Sequence, residues 1–131
     1  MSQYISKKSD KTSKPATQSL TSGKWVTVEA GGITELIATE SSKAGALFVC
    51  YLNVTTPKLG AATELVLRWV RDPKGINDAT GYETKPLKKG ATTFIKDVWV
   101  FQAKKGQPVV LQVKANGKAT ITTRELKLAI E

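Results

Sequence analysis

Short runs of β-branched and aromatic residues, separated by glycine, proline and asparagine, fill the chain from residue 24 to its end. Within the runs, apolar and polar residues alternate. In residues 63–72, for example, Leu65, Leu67 and Trp69 fall on one face. Alternation with a period of two indicates half-buried strands, and no helical period is sustained anywhere in this part of the chain. About eight such runs predict an all-β fold, an antiparallel β-sandwich or jelly roll.

Local signals refine this prediction. Pro86 should confine its strand to a sheet edge, because proline cannot donate to a central ladder. Asn116-Gly117 is typical of a two-residue hairpin turn. In the last run, residues 118–130, the apolar residues change from odd to even positions between Ile121 and Leu126, which predicts a bulge or a bend. A helix competes there, but the threonines of this run favour a strand. The predicted strands are 24–30, 33–40, 46–54, 63–72, 81–87, 93–103, 107–115 and 118–130.

The first 23 residues differ from the rest in composition. Residues 1–24 carry five lysines and one aspartate, which gives +4 of the chain's net charge of +9. They contain few large apolar residues and cannot bury enough surface to offset the entropy of ordering. We therefore expect a flexible basic N-terminal arm at residues 1–23 and a single β-sandwich domain at residues 24–131. Without a secretory apolar segment or a membrane-length apolar run, we expect a soluble protein made in the cytoplasm.

The residue inventory excludes much catalytic chemistry. The chain has no histidine and one cysteine, so it has no His-activated nucleophile, no internal disulfide and no Cys-cluster zinc site. The loop at residues 72–81 lacks the oxygen spacing of a calcium site, and Lys74 would repel the ion. Gly31-Gly32 lacks the Lys-Ser/Thr pair and the helix of a phosphate loop. We expect no enzyme, no cofactor and no metal.

Two runs are apolar on both faces: residues 46–54 and residues 98–101. In a sandwich one face of a strand usually meets water, so the second face needs a cover. Loops could supply it, or another subunit could, as in large homo-oligomer interfaces. Cys50 is expected to be a small buried hydrophobe with an inert thiol. The predicted subunit interface comprises Phe48, Cys50, Leu52, Trp99 and Phe101.

Nucleic-acid binding is the alternative that the basic charge raises. Lysine pairs at residues 88–89 and 104–105, together with aromatic rings, could bind single strands. The rings lie inside apolar runs, however, so core packing is the preferred interpretation, and nucleic acid is not an expected partner. The rings concerned are Trp25, Phe48, Trp69, Phe94, Trp99 and Phe101.

Four sequence strings carry a resemblance to a known group of proteins. They are LVLRWVRDP, DATGY, WVFQ and PVVLQV before the Asn-Gly pair, within residues 44–130. They resemble small β-sandwich proteins of tailed-phage virions, namely capsid-decoration (head accessory) proteins and related minor tail or fibre-head modules. The resemblance implies homotrimers at capsid symmetry axes, with N-terminal arms that grip the shell.

The sequence therefore predicts a non-enzymatic virion protein that decorates or cements a phage head. Its partners would be the major capsid protein or other virion subunits, and its place the virion. A minor tail or receptor-binding module is the first alternative, and a single-stranded nucleic-acid-binding β-barrel the second. The capsid-contacting arm residues would be Tyr4, Ile5, Lys7, Lys8, Lys11 and Lys14.

Overall fold

The computed structural model describes residues 4–5, 16–29, 36–37, 46–75, 78–101 and 108–130. No helix long and apolar enough to cross a membrane occurs in these ranges. Their regular structure is all β, in eleven strands. The strands are β1 (Tyr4–Ile5), β2 (Ala16–Leu20), β3 (Val26–Thr27), β4 (Leu36–Ile37), β5 (Ala46–Thr55), β6 (Glu64–Arg71), β7 (Asp78–Ala79), β8 (Glu83–Pro86), β9 (Thr92–Phe101), β10 (Pro108–Ala115) and β11 (Ala119–Ile130).

The strands form two antiparallel sheets. In sheet I, β1 and β2 both pair with β11, which is followed by β5 and then β9. In sheet II, β3 and β4 pair with β10, which is followed by β6, and β6 pairs with β7 and β8. The predicted all-β sandwich is confirmed. Strand β8, which ends at Pro86, pairs with β6 alone among the described strands and so lies at an edge, as predicted.

The core lies between the two sheets and is built from alternate residues of each strand. Phe48 and Leu52 of β5 point inward from sheet I, and Leu67, Trp69 and Leu111 point inward from sheet II, all at most 1% exposed. The rings of Phe48 and Trp69 meet across the sandwich with 5.5 Å between centroids. The period-two pattern of residues 63–72 and 107–115 therefore identifies the inner faces correctly.

The last strand contains the irregularity that its sequence predicts. The pairing of β11 with β5 shifts register between Thr123 and Glu125. Ile121 and Leu126 are five positions apart, so a regular strand would place them on opposite faces. Both are nevertheless buried, at 0% and 1% exposure. The bulge thus lets apolar side chains on both sides of it, in this 12-residue strand, face the core.

The predicted hairpin at Asn116-Gly117 is wrong. Strand β10 belongs to sheet II and β11 to sheet I, so the chain crosses between sheets at this point. The Asn116 Oδ1 accepts hydrogen bonds from the backbone N–H groups of Thr63 and Glu64, at 2.8 and 3.2 Å, at the start of β6. A Cβ on Gly117 would lie 2.8 Å from the Ala62 nitrogen. Asn116 and Gly117 therefore pack closely against the loop that precedes β6.

Part of the predicted arm belongs to the sandwich. Strand β2 pairs with β11 along Ala16–Leu20, and Leu20 is 2% exposed in the core. The chain then passes to sheet II at Gly23, whose φ of +80° suits glycine and whose N–H donates to the Ala115 carbonyl at 3.0 Å. Regular structure thus begins ahead of the predicted boundary between residues 23 and 24.

Replacing Gly117 with alanine should destabilise the fold. The new Cβ would meet backbone atoms of Ala61 and Ala62 at 2.8–2.9 Å, and backbone cannot move aside as a flexible side chain can. We expect a loss of about 1–3 kcal/mol in the free energy of unfolding, measured by urea denaturation. Gly81→Ala is the matched control, because no atom lies within 4 Å of the position that its new methyl group would take. Equal stability of the two variants would contradict the close-contact interpretation.

Candidate functional site

The outer face of sheet I carries an exposed aromatic patch. The rings of Tyr51 (β5) and Phe94 (β9) stack with 6.3 Å between centroids and 27° between planes. Phe94 is 58% exposed and Val98, four residues along the same strand, is 45% exposed. The ammonium of Lys96 lies 5.7 Å from the centre of the Tyr51 ring. We call Tyr51, Phe94, Lys96 and Val98 the sheet I patch.

Strand register explains why these residues share a face. Tyr51 pairs directly with Lys96, and Phe94 pairs with Asn53, the next outward residue of β5. Side chains diagonal to one another on adjacent strands are within reach when one of them is aromatic. The patch is therefore a consequence of the same alternation that sends Phe48 and Leu52 into the core.

The predicted interface residues do not occupy this face. Phe48, Cys50 and Leu52 lie between the sheets with 0% exposure, so they contact the protomer's own core. Trp99 is partly buried against that core. The side chain of Phe101 lies outside the described part of the structure. The interface assignment is therefore corrected for Phe48, Cys50 and Leu52, because an interface on β5 would have to use the alternate, outward residues. For Trp99 and Phe101 it stays a prediction.

The outer face of sheet II has a different chemistry. The guanidinium of Arg68 (β6) lies 3.9 Å from the centre of the Trp25 ring, and the ammonium of Lys114 (β10) lies 4.7 Å from it. The Tyr82 ring, 64% exposed, lies 5.5 Å from the Trp25 ring at 42°. We call Trp25, Arg68, Tyr82 and Lys114 the basic aromatic platform.

The platform corrects one prediction about the aromatic residues. Core packing is confirmed for Phe48 and Trp69. Trp25, in contrast, contacts two cations, and Phe94 is exposed on the other sheet. The alternation in the sequence could have placed Trp25 and Arg68 on the outer face, because apolar residues next to each of them point inward. The alternation could not show that Trp25 and Arg68 lie close together, because this depends on the pairing of β3 with β10 and of β10 with β6.

An aspartate is buried at one edge of the sandwich. Asp97 on β9 points inward and its side chain is 2% exposed. Burial, together with the neighbouring Glu83 carboxyl, raises the pKa of Asp97 to about 7, while Lys85 opposes the shift. The ammonium of Lys85 lies 2.7 Å from Glu83 Oε1 and 4.0 Å from Asp97 Oδ1. This group therefore links the edge strands β8 and β9 of the two sheets.

The single cysteine lies beside this group. Cys50 pairs with Asp97 in the ladder between β5 and β9 and is fully buried. Burial raises the pKa of its thiol well above the ordinary value, and the negative charge of Asp97 acts in the same direction. The thiol therefore stays protonated and unreactive, in line with its predicted role as a small hydrophobe.

The predicted capsid-contacting residues are described in part. Tyr4 and Ile5 form β1, whose backbone pairs with Ile130 and Ala129 at the end of β11. The four lysines of that prediction, Lys7, Lys8, Lys11 and Lys14, lie outside the described residues.

Comparisons with known proteins show the fold. No protein-family model and no curated protein matches the sequence. Among solved structures, the chain is similar to an Eiger TNF from S. frugiperda, with 6% identity, a TM-score of 0.59 and coverage of 88% of this chain and 85% of that one. It is similar to murine APRIL, with 12% identity, a TM-score of 0.53 and coverage of 90% and 100%. It is also similar to the globular domain of zebrafish complement 1qA protein, with 10% identity, a TM-score of 0.53 and coverage of 95% and 93%. The chain therefore has the jelly-roll fold of TNF-like and C1q-like domains.

The buried aspartate predicts a specific pH dependence of stability. A pKa raised from 3.8 to about 7 means that the folded state binds more protons than the unfolded state between these values. Asp97 therefore stabilises the fold fully below pH 4, and this contribution is lost as pH rises through 7. One pKa unit corresponds to about 1.4 kcal/mol, so the shift is worth about 4 kcal/mol. Relative to the natural chain, Asp97→Asn should therefore gain about 10–20 °C in Tm between pH 4 and pH 8, measured by thermal denaturation. Glu64→Gln, at an exposed position, is the control. A constant difference in Tm between Asp97→Asn and the natural chain would contradict the assignment.

Proposed function

We propose that the protein is a non-enzymatic structural subunit that decorates a phage head, assembling as a homotrimer through the sheet I patch. The observation that carries the proposal is the exposure of Phe94 and Val98 on an ordered sheet face, beside the stacked Tyr51 ring. Apolar side chains of this size, clustered on one face, mark interaction surfaces. Because about half of each side chain is already buried, covering the rest at an interface would contribute on the order of 1 kcal/mol for each.

The jelly-roll fold supports a structural role of this kind. Core side chains fill the space between its two sheets, so a partner protein would bind at the outer faces, the edges or the loops. The trimeric state and the attachment to a virion follow from the resemblance of residues 44–130 to tailed-phage decoration proteins. The proposed location of the protein is therefore the virion.

The basic arm is the proposed attachment element. Strands β1 and β2 both pair with β11, so the proposed attachment segment is the stretch between them, residues 6–15. This segment includes Lys7, Lys8, Lys11 and Lys14, against one aspartate. Its charge suits an acidic surface on the capsid, and this attraction should weaken as salt rises.

The sheet I patch predicts the outcome of a mass measurement. The natural chain at micromolar concentration should sediment at about three times its 14.2 kDa monomer mass. The double variant Phe94→Ser and Val98→Ser should dissociate at least about tenfold more readily, because it removes the apolar surface that association would bury. Analytical ultracentrifugation measures both.

The control for this experiment is Leu59→Ser. Leu59 is 82% exposed in the loop between β5 and β6, so the substitution removes an exposed apolar side chain away from the patch. It should leave the mass unchanged. A monomeric natural chain, or equal effects of the control and the patch variant, would contradict assembly through this face.

Deletion of residues 2–14 tests the arm. This variant loses the two-residue strand β1 but keeps β2 and the buried Leu20, so it should fold and keep its oligomeric mass. It should no longer co-sediment with capsids of the virus that encodes the chain, because four lysines of the arm are lost. The control replaces Lys74, Lys88 and Lys89 with glutamine, which lowers the net charge by the same three units and leaves the arm intact.

Three outcomes of the co-sedimentation assay contradict the proposal. Undiminished capsid binding by the deletion variant would remove the arm's role. Equal losses in the deletion and control variants would show a general charge effect. Binding of the natural chain to isolated tails instead of capsids would identify a tail module.

A further inference from the structure

The guanidinium of Arg68 is held in a fixed pose on the outer face of sheet II. The Trp25 ring lies 3.9 Å from it, and its Nε and Nη2 both donate to the Gln112 Oε1, at 2.9 and 2.7 Å. A guanidinium has five N–H donors, and these two bonds use two of them. The side-chain entropy that binding usually removes is therefore already reduced in the free protein. An arginine in this state is well suited to donate its remaining hydrogen bonds to a carboxylate.

The platform is positively charged, and within the described residues no ion pair involves Arg68 or Lys114. Lys114 adds a second cation within 4.7 Å of the Trp25 ring centre. The single acidic residue of strands β3, β6 and β10 is Glu64, which lies four residues from Arg68 along β6. At about 3.3 Å per residue, four residues along a strand separate two backbones by about 13 Å. The platform should therefore attract a negatively charged partner.

The residue types and the shape favour a protein as that partner. Tryptophan, tyrosine and arginine are the residues most enriched among those that dominate binding energy at protein interfaces. Small-molecule sites are concave. Two cavities in the described part of the structure, of about 480 and 230 Å³, are lined by other residues. The platform instead lies on an open sheet face, where Tyr82 is 64% exposed.

A second copy of this chain is a poor occupant. The chain carries a net charge of +9, and two platforms facing each other would bring like charges together. The sheet I patch, with one lysine among three apolar or aromatic side chains, lacks this obstacle. The two outer faces therefore suit different partners.

We propose that the basic aromatic platform docks an acidic surface of another protein. A carboxylate of the partner binds the Arg68 guanidinium, Lys114 adds electrostatic attraction, and an adjacent side chain packs against the Tyr82 ring. This site is separate from the arm and from the sheet I patch, so it does not depend on trimerisation.

The test uses the full chain and three defined fluorescent probes at physiological salt. These are a poly-L-glutamate peptide, a thymidine oligonucleotide of similar charge, and a hyaluronan oligosaccharide. Anisotropy titrations compare the natural chain with Arg68→Gln and with Lys88→Gln, an exposed loop lysine whose loss changes the net charge equally. Arg68→Gln should weaken poly-L-glutamate binding about tenfold more than Lys88→Gln does.

Two further variants separate docking from structural support. Tyr82→Ser keeps the net charge and replaces a largely exposed side chain, so it should preserve Tm and weaken peptide binding about threefold or more. Arg68→Lys should fail to restore binding, because an ammonium neither stacks flat on indole nor forms paired hydrogen bonds.

The outcomes divide cleanly. Equal losses for Arg68→Gln and Lys88→Gln, or full binding by Tyr82→Ser, would overturn the proposal. Tighter binding of the oligonucleotide or of hyaluronan than of poly-L-glutamate, sensitive to Arg68, would also overturn it, in favour of a nucleic-acid or an acidic-glycan site. Peptide preference with loss in both platform variants supports it, whatever the oligomeric mass of the chain.

Discussion

The apolar layer between the sheets is the constraint on which the other features depend. Its centre is the contact between Phe48 of sheet I and Trp69 of sheet II, whose rings lie 5.5 Å apart. Each aromatic side chain of this size buries about 150–250 Å². A one-residue slip of either strand would move these rings to the solvent, so burial fixes the register of both sheets. Once the register is fixed, the composition of the two outer faces is fixed as well.

Those outer faces are chemically distinct, although the same sandwich presents both. On sheet I, ladder pairing of β5 with β9 produces a mainly apolar surface around Tyr51 and Phe94. On sheet II, the pairing of β6, β10 and β3 gathers two cations around Trp25. Apolar surface favours self-association, and unpaired cations oppose it. A subunit with these two faces can therefore assemble with copies of itself on one side and meet an acidic partner on the other.

The parts of this arrangement that follow local rules were predictable from the sequence. Period-two alternation identified the inner faces of β6 and β10, and the change from odd to even apolar positions identified the bulge of β11. Contacts between distant segments were not predictable in this way. Asn116-Gly117 has the local chemistry of a hairpin, but the burial of both flanking strands in opposite sheets requires a crossing there. Likewise, Phe48, Cys50 and Leu52 belong to a run that is apolar on both faces, and alternation alone could not say which face is inward.

The buried Asp97 explains why assembly would use faces rather than edges. Strand β9 is the end strand of the described sheet I, and β8 lies at an edge of sheet II, so both carry ladder groups that another chain could pair with. The inward carboxyl of Asp97 and the Glu83–Lys85 pair of β8 place charged and polar groups along these two edges. Inward-pointing charged residues discourage the pairing of a further strand at an edge, because a strand added there would desolvate them, which is costly. The ion group thus limits edge-to-edge association and leaves the two outer faces as the surfaces on which specific contacts can form.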